Sequence, residues 1–190
     1  DVWSDKEKPV RQAGGLEKFN KAIRGKKILK VWRRAKFIVI DIEGPKSIFI
    51  HQKISGHLMY GKWRLDHGIW KSIGNSPLKT DPKNQHIRIM FNFSNGYQMA
   101  LSDLRRFGKV MLVDDTTLDN LKEIKALGPE PLDVLYPEFK KLFEHKKGRI
   151  KQVIMDPHFV AGIGNIYADE ILWRVGLHPL SRVEHLNDED

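Results

Sequence analysis

Arg149–Pro179 reads RIKQVIMDPHFVAGIGNIYADEILWRVGLHP, and this stretch decides what the second half of the chain must be. Two helical patterns meet at the short loop Ala161-Gly162-Ile163-Gly164-Asn165. Gly162 and Gly164, one residue apart, let a backbone take positive φ and come close to a partner. The loop delivers the chain into the second helix at its N-terminus, where free N–H groups and the helix dipole favour an anion. In a basic protein that anion is expected to be a phosphate.

Upstream, the basic linker Lys146-Lys147-Gly148-Arg149 precedes this stretch. Before it come a helix from Pro137, set at its first position, to Phe143, and another over 119–127 with Leu121 and Ile124 on one face, closed by Gly128-Pro129. The period then changes. Ile87, Ile89, Phe91 and Phe93 alternate with Arg88, Met90 and Asn92, a half-buried strand. Asn95-Gly96 turns it into a return strand from Tyr97 to Leu101. A loop over 102–108 leads to a strand over Lys109–Val113, and residues 36–51 read as a hairpin around Glu43-Gly44-Pro45-Lys46. Ile28–Trp32 reads as a strand. Residues 61–81 read as loop-rich, anchored by Trp63 and Trp70. Leu16, Phe19 and Ile23 mark a short amphipathic helix with Gly25 just past its end. Short turns between these strands argue for an antiparallel sandwich or barrel. The expected architecture is α+β: an antiparallel β-sandwich domain over 1–114, then a helical domain over 115–190.

The 190 residues carry a formal net charge of +9 and a pI of about 9.6, which points to a polyanionic partner, nucleic acid first. There is no cysteine, so disulfides and cysteine-based zinc sites within these residues are excluded. The eight histidines show no metal-ligand spacing. No run of about 18 apolar residues suggests a membrane span, and no signal peptide opens the sequence. Asn92-Phe93-Ser94 matches a glycosylation sequon by chance in that setting. The expectation is a cytoplasmic protein. The chain starts at Asp1 without an initiator methionine and stops in Leu186-Asn187-Asp188-Glu189-Asp190, where Asn187 or Asp188 reads as the N-cap of a helix still to come. A partial sequence is therefore expected.

Lys36 beside Arg33 and Arg34, the Arg105-Arg106-Phe107 loop, and Lys146, Lys147, Arg149 and Lys151 could all serve a phosphate backbone. An arginine and a phenylalanine on one loop could also wedge into a base stack. Taken singly, each has an ordinary reading: solvated cations, and a core phenylalanine. Asp169 and Glu170 fit a role at a helix N-terminus better than proton transfer. No nucleophile–base pair stands out.

HQKISGHL (51–58), SDLRRFGKV (102–110), LGPEPL (127–132) and MDPHFVAGIGNIYADEILWRVGLHP (155–179) together closely resemble the formamidopyrimidine-DNA glycosylase and endonuclease VIII family. The match runs in order from about Gly25 to Pro179. The resemblance implies a β-sandwich and a helix–two-turn–helix domain with double-stranded damaged DNA in the cleft between them. It implies a monomeric bacterial base-excision repair enzyme, nucleoid-associated when bound to DNA. Its activity would be to excise oxidised purines of formamidopyrimidine and 8-oxoguanine type and to cleave the abasic strand by β-elimination. Asn165 resembles the loop asparagine on the backbone phosphate, Lys151 a lysine one helix earlier, and Lys36 the family's phosphate-contacting lysine. Arg105 and Phe107 resemble two of three side chains that fill the space left by a flipped nucleotide. The third, usually a methionine, is here Ile54, still apolar but stiffer. Glu170 resembles the acid that orders the helix–two-turn–helix. The family's nucleophile is an N-terminal proline followed by glutamate, which forms a Schiff base with the sugar. Asp1-Val2 is not that pair, so no catalytic residue is expected among these 190 and the chain is expected to be inactive by itself. Zinc is implied for the complete protein, through a four-cysteine finger that these residues lack. A non-catalytic damaged-DNA or RNA binding module is the alternative.

Overall fold

A computed structural model of the chain describes residues 1–6, 10, 14–74, 77–114 and 122–187. The strands are β1 (Val2–Ser4), β2 (Ile28–Arg34), β3 (Phe37–Ile42), β4 (Lys46–His51), β5 (Gly56–Gly61), β6 (Trp63–Asp66), β7 (Ile69–Ser72), β8 (Ile87–Asn92), β9 (Gln98–Asp103) and β10 (Lys109–Asp114). The helices are α1 (Leu16–Ile23), α2 (Lys122–Lys125), α3 (Tyr136–Leu142), α4 (Ile150–Met155) and α5 (Asn165–Val175). The chain divides into two units, Asp1–Arg33 with Phe37–Leu118, and Arg34–Lys36 with Asp119–Asp190.

The first unit holds two four-stranded sheets, ordered β1-β8-β9-β5 and β10-β4-β3-β2. The expected 36–51 hairpin is β3 with β4, antiparallel, with Phe37 opposite His51 and Ile42 opposite Lys46. Strand periodicity sends Ile40, Ile42, Ile48, Ile50 and Val110 to one face. There they meet Val2, Ile89, Phe91 and Leu101 of the other sheet in a single core. Phe19 of α1 joins this core and packs edge-on against Phe91, ring centroids 6.2 Å apart. Burying each such side chain contributes about 1.5–3 kcal/mol. Gly25, at φ 73°, ends α1 in the left-handed conformation that favours glycine.

Three expectations change. Strand β8 is not half-exposed: Met90 is as fully buried as Ile89. Its second face is covered, because Met90, Met59, Ile87 and Ala100 pack with Trp63, Trp70 and Trp3 in another cluster. That cover comes from residues 61–81, which are not loop-rich throughout. They contain the β6–β7 hairpin, turned by His67 at φ 48° and Gly68 at φ 79°. Two successive left-handed residues make the turn that suits strand twist. Strand β9 also runs on to Asp103, so the loop before β10 is only residues 104–108.

The second unit is helical, which completes the α+β class. Its core is Ile150, Ile154, Phe159, Val160, Ala168, Leu172 and Val183. Phe139 and Phe143 of the α3 segment pack edge-on around Phe159, with centroids 6.3 and 4.8 Å away. Pro137 sits in the first turn of α3, and the Glu138 carboxylate accepts a hydrogen bond from the Leu135 N–H at 3.3 Å. Gly176 at φ 74° closes α5. Of the helix expected over 119–127, residues 119–121 (including Leu121) lie outside the described residues, as does Asp188; Ile124 is buried in α2. No helix among the described residues is long and apolar enough to cross a membrane.

Candidate nucleic-acid interface

In the helical unit the LGPEPL segment lies along the glycine loop. The Gly128 N–H donates to the Pro157 carbonyl, and the Ala161 N–H to the Pro129 carbonyl, both at 2.9 Å. A Cβ on Gly128 would stand 2.4 Å from the Phe159 carbonyl oxygen, so only glycine allows this approach. Glu130 then gathers Arg34–Lys36 into the unit. Its carboxylate accepts from the Arg34 guanidinium at 2.9 Å and from the Ala35 N–H at 2.6 Å, while Arg34 also donates to the Gly128 carbonyl at 2.9 Å.

That anchoring brings Lys36 to the loop, where its Nζ donates to the Ile163 carbonyl at 3.0 Å. The two loop glycines do different work. Gly162 takes φ 89°. Gly164 has an ordinary φ of −116°, but a Cβ there would come 3.1 Å from Lys36 Nζ. Asn165 is the first residue of α5 and exposed. It thus stands beside an ammonium group and a helix N-terminus whose first-turn N–H groups lack intrahelical acceptors.

Lys151 lies one helix earlier and is paired with Asp169 of α5 at 2.6 Å, tying α4 to α5. Glu170 is exposed; the acid that the structure joins to α4 is Asp169, its neighbour. Glu184, in the short turn Val183–His185 after α5, accepts from the Gly148 N–H of the turn before α4 at 2.9 Å and from the Arg182 guanidinium at 2.8 Å. Its own backbone N–H, that of Gly148 and Arg182 lower its carboxyl to about 2.

The sandwich unit presents two loops. In the first, the Gly56 N–H donates to the Gln52 carbonyl at 3.1 Å, and the Lys53 N–H to His51 Nδ1 at 2.9 Å. A Cβ on Gly56 would fall 2.2 Å from the Gln52 oxygen. This tight turn leaves Ile54 at its tip, 73% exposed. In the second loop, Arg105 lies over the Phe107 ring at 5.0 Å, and Phe107 is 47% exposed, so it is not a core residue. Arg106 turns away to pair with Asp5 at 3.0 Å.

Between the loops sits a group that the sequence reading missed. Asp103 is 1% exposed. Its Oδ1 accepts from Ser55 Oγ at 2.5 Å and from the Arg105 N–H at 3.2 Å, and its Oδ2 accepts from the Gly108 N–H at 2.7 Å. Burial raises its pKa, but hydrogen bonds from Ser55 and from the Gly108, Arg105 and Phe107 N–H groups outweigh it and leave the carboxyl below the usual aspartate value. The only sequence hint was an acid at a strand end, five residues before a glycine.

The structure therefore gathers Lys36, Gly162, Gly164 and Asn165 in one unit, and Ile54, Arg105 and Phe107 on joined loops in the other. A family model for the formamidopyrimidine-DNA glycosylase N-terminal domain matches residues 1–110, and one for the H2TH domain of the same enzyme matches residues 127–190. The chain belongs to the formamidopyrimidine-DNA glycosylase family. The formamidopyrimidine-DNA glycosylase of Pelotomaculum thermopropionicum is 39% identical over 166 residues, covering 86% of this chain and 54% of that protein. That of Desulforamulus reducens is 34% identical over 152 residues, 79% of this chain and 49% of the relative. The chain thus spans about half the length of these relatives. Lactococcus lactis Fpg in complex with a Fapy-dG containing DNA superposes with a TM-score of 0.78 at 25% identity, over 98% of this chain and 64% of that one. The same protein with an abasic site containing DNA also gives 0.78 at 25% identity, over 98% and 63%. The zinc expected for a complete glycosylase of this family has no fit here. The residues include no cysteine, and among the described residues no three His, Asp or Glu side chains gather.

Proposed function

We propose that these residues are the DNA-holding and base-displacing part of a base-excision repair glycosylase that acts, as a monomer in the bacterial cytoplasm, on oxidised purines in double-stranded DNA. The observation that carries this reading is the pair of joined loops that hold Ile54 and Phe107 out to solvent with Arg105 stacked on the ring. Exposed apolar side chains held together on one surface are a mark of an interaction site. A base stack opened by flipping is a partner for them, and the guanidinium can take an orphaned base or a phosphate. Lys36, Asn165 and the α5 N-terminus then hold a backbone phosphate. Lys151 supports that clamp through Asp169, which aligns the first turns of α5 with α4.

In the complete protein the covalent step belongs to an N-terminal proline amine. It attacks the sugar C1′, the base leaves, and the resulting iminium permits β-elimination of the strand. No residue described here is assigned to that step. Borohydride reduction tests the reading: the protein extended to begin with Pro-Glu is expected to be trapped covalently on duplex DNA containing 8-oxoguanine, and the 190 residues alone are not. Tight abasic-site binding with no adduct in either form would select a non-catalytic damaged-DNA module. Competition favouring structured RNA would select an RNA module.

A further inference from the structure

We propose that Ser55 and Asp103 form a latch that makes two separate loops act as one wedge, so that Asp103 and Ser55 are positioning residues for lesion recognition. The proposal rests on the functional reading above and goes one step deeper. Ile54 and Phe107 are far apart in sequence and sit on different turns. Each turn contains a non-glycine residue in the left-handed region, Lys53 at φ 60° and Arg106 at φ 58°. Such residues persist only where the surroundings over-determine them.

Those surroundings converge on Asp103. Ser55 Oγ donates to its Oδ1, and the Arg105 N–H donates both to that oxygen and to Ser55 Oγ, each at 3.2 Å. The Gly108 N–H holds the other oxygen. Every group facing the carboxylate is a donor. An amide in its place would turn an NH2 towards a donor or lose a bond, so a carboxylate is the side chain of this size that satisfies the knot. The Ser55 contact is the informative one. An aspartate needed only to turn residues 104–108 would be complete with the backbone N–H groups of its own loop. The bond to Ser55 reaches the neighbour of Ile54 instead.

Wedge insertion into DNA pushes the two tips against a stack. Tips joined through a buried anion resist that load together, whereas separate tips can splay. The latch therefore acts on lesion DNA, where a gap is filled, and not on phosphate binding to intact duplex.

The test is equilibrium binding of the 190-residue protein to a duplex with a central tetrahydrofuran abasic analogue and to the undamaged duplex, with folding of each variant checked by circular dichroism. Ser55→Ala is expected to weaken lesion binding about tenfold, as for loss of a hydrogen bond to a charged group. It is expected to leave undamaged-duplex binding unchanged, and Ser55→Thr, which keeps the hydroxyl, restores the lesion affinity. With Ile54→Ala already present, Ser55→Ala has no further effect on lesion binding. Equal losses with and without Ile54 would overturn the latch, as would unchanged lesion affinity for Ser55→Ala where Ile54→Ala lowers it. If neither Ile54→Ala nor Phe107→Ala alters the preference for lesion DNA, the wedge reading itself fails and the latch with it.

Discussion

A single methyl group at residue 164 would stand 3.1 Å from the Lys36 ammonium. Gly164→Ala is therefore expected to displace Lys36 from the Ile163 carbonyl. The loss falls on DNA affinity, with the thermal midpoint little changed, because the lysine end is flexible and the helix start keeps an ordinary φ. An unfolding scan beside a binding titration separates the two effects. Asn165→Ala is expected to cost about 1–2 kcal/mol of duplex affinity if it removes one phosphate hydrogen bond, and unchanged affinity would take Asn165 out of the interface. Gly56→Ala belongs to the other kind: its Cβ would meet rigid backbone at 2.2 Å, so it should destabilise the sandwich unit by about 1–3 kcal/mol, as overpacking does, read from denaturant midpoints. The glycine loop and the helix start at Asn165 were legible in the sequence because a glycine pair and a helix start each carry a local signal, and folding sets Lys36 against that loop. Asp103 and Ser55 were not legible. Their importance lies in donors brought together by folding, 48 residues apart. Which of the adjacent acids Asp169 and Glu170 pairs with Lys151 was also illegible, since that is a matter of helix phase.

Among the elements, the hairpins β3–β4 and β8–β9 could be read because each pairs a β-rich run with a strong turn signal. The β6–β7 hairpin escaped because its strands are only four residues long and its His-Gly turn is a weaker signal than Asn-Gly. Missing it also left β8 with an apparently exposed face. The wedge loops make a pH prediction at this scale. Asp103 has a folded pKa below its usual 3.8, so the folded state binds its proton less readily than the unfolded state. Its stabilisation is fully present above that usual value and is lost as pH falls through the lowered folded value. Asp103→Asn is expected to be less stable than the parent at neutral pH, with the gap narrowing under acid. Urea midpoints measured from neutral pH down to about pH 3 check this; a gap that widens in acid contradicts it.

At the scale of the whole chain, the motif order between Gly25 and Pro179 was enough to read the α+β class and the family. The membership of Arg34–Lys36 in the helical unit was not readable, because it depends on Glu130 reaching Arg34 and Ala35. A net charge of +9 favours long-range attraction to any polyanion, and charge alone does not select damaged DNA. If Lys36, Arg105 and the Asn165 region neutralise about three phosphates, affinity for undamaged duplex should fall with a log–log salt slope near −2.7, about 40-fold between 50 and 200 mM salt. Wedge insertion is tested most directly by comparing lesion and intact duplex at one salt concentration, by fluorescence anisotropy, for the parent and for Ile54→Ala with Phe107→Ala. The parent is expected to bind the abasic duplex more tightly, and the double variant to bind both duplexes nearly equally. Equal binding of both duplexes by the parent, or a lesion preference that survives loss of both wedge side chains, would rule out the wedge.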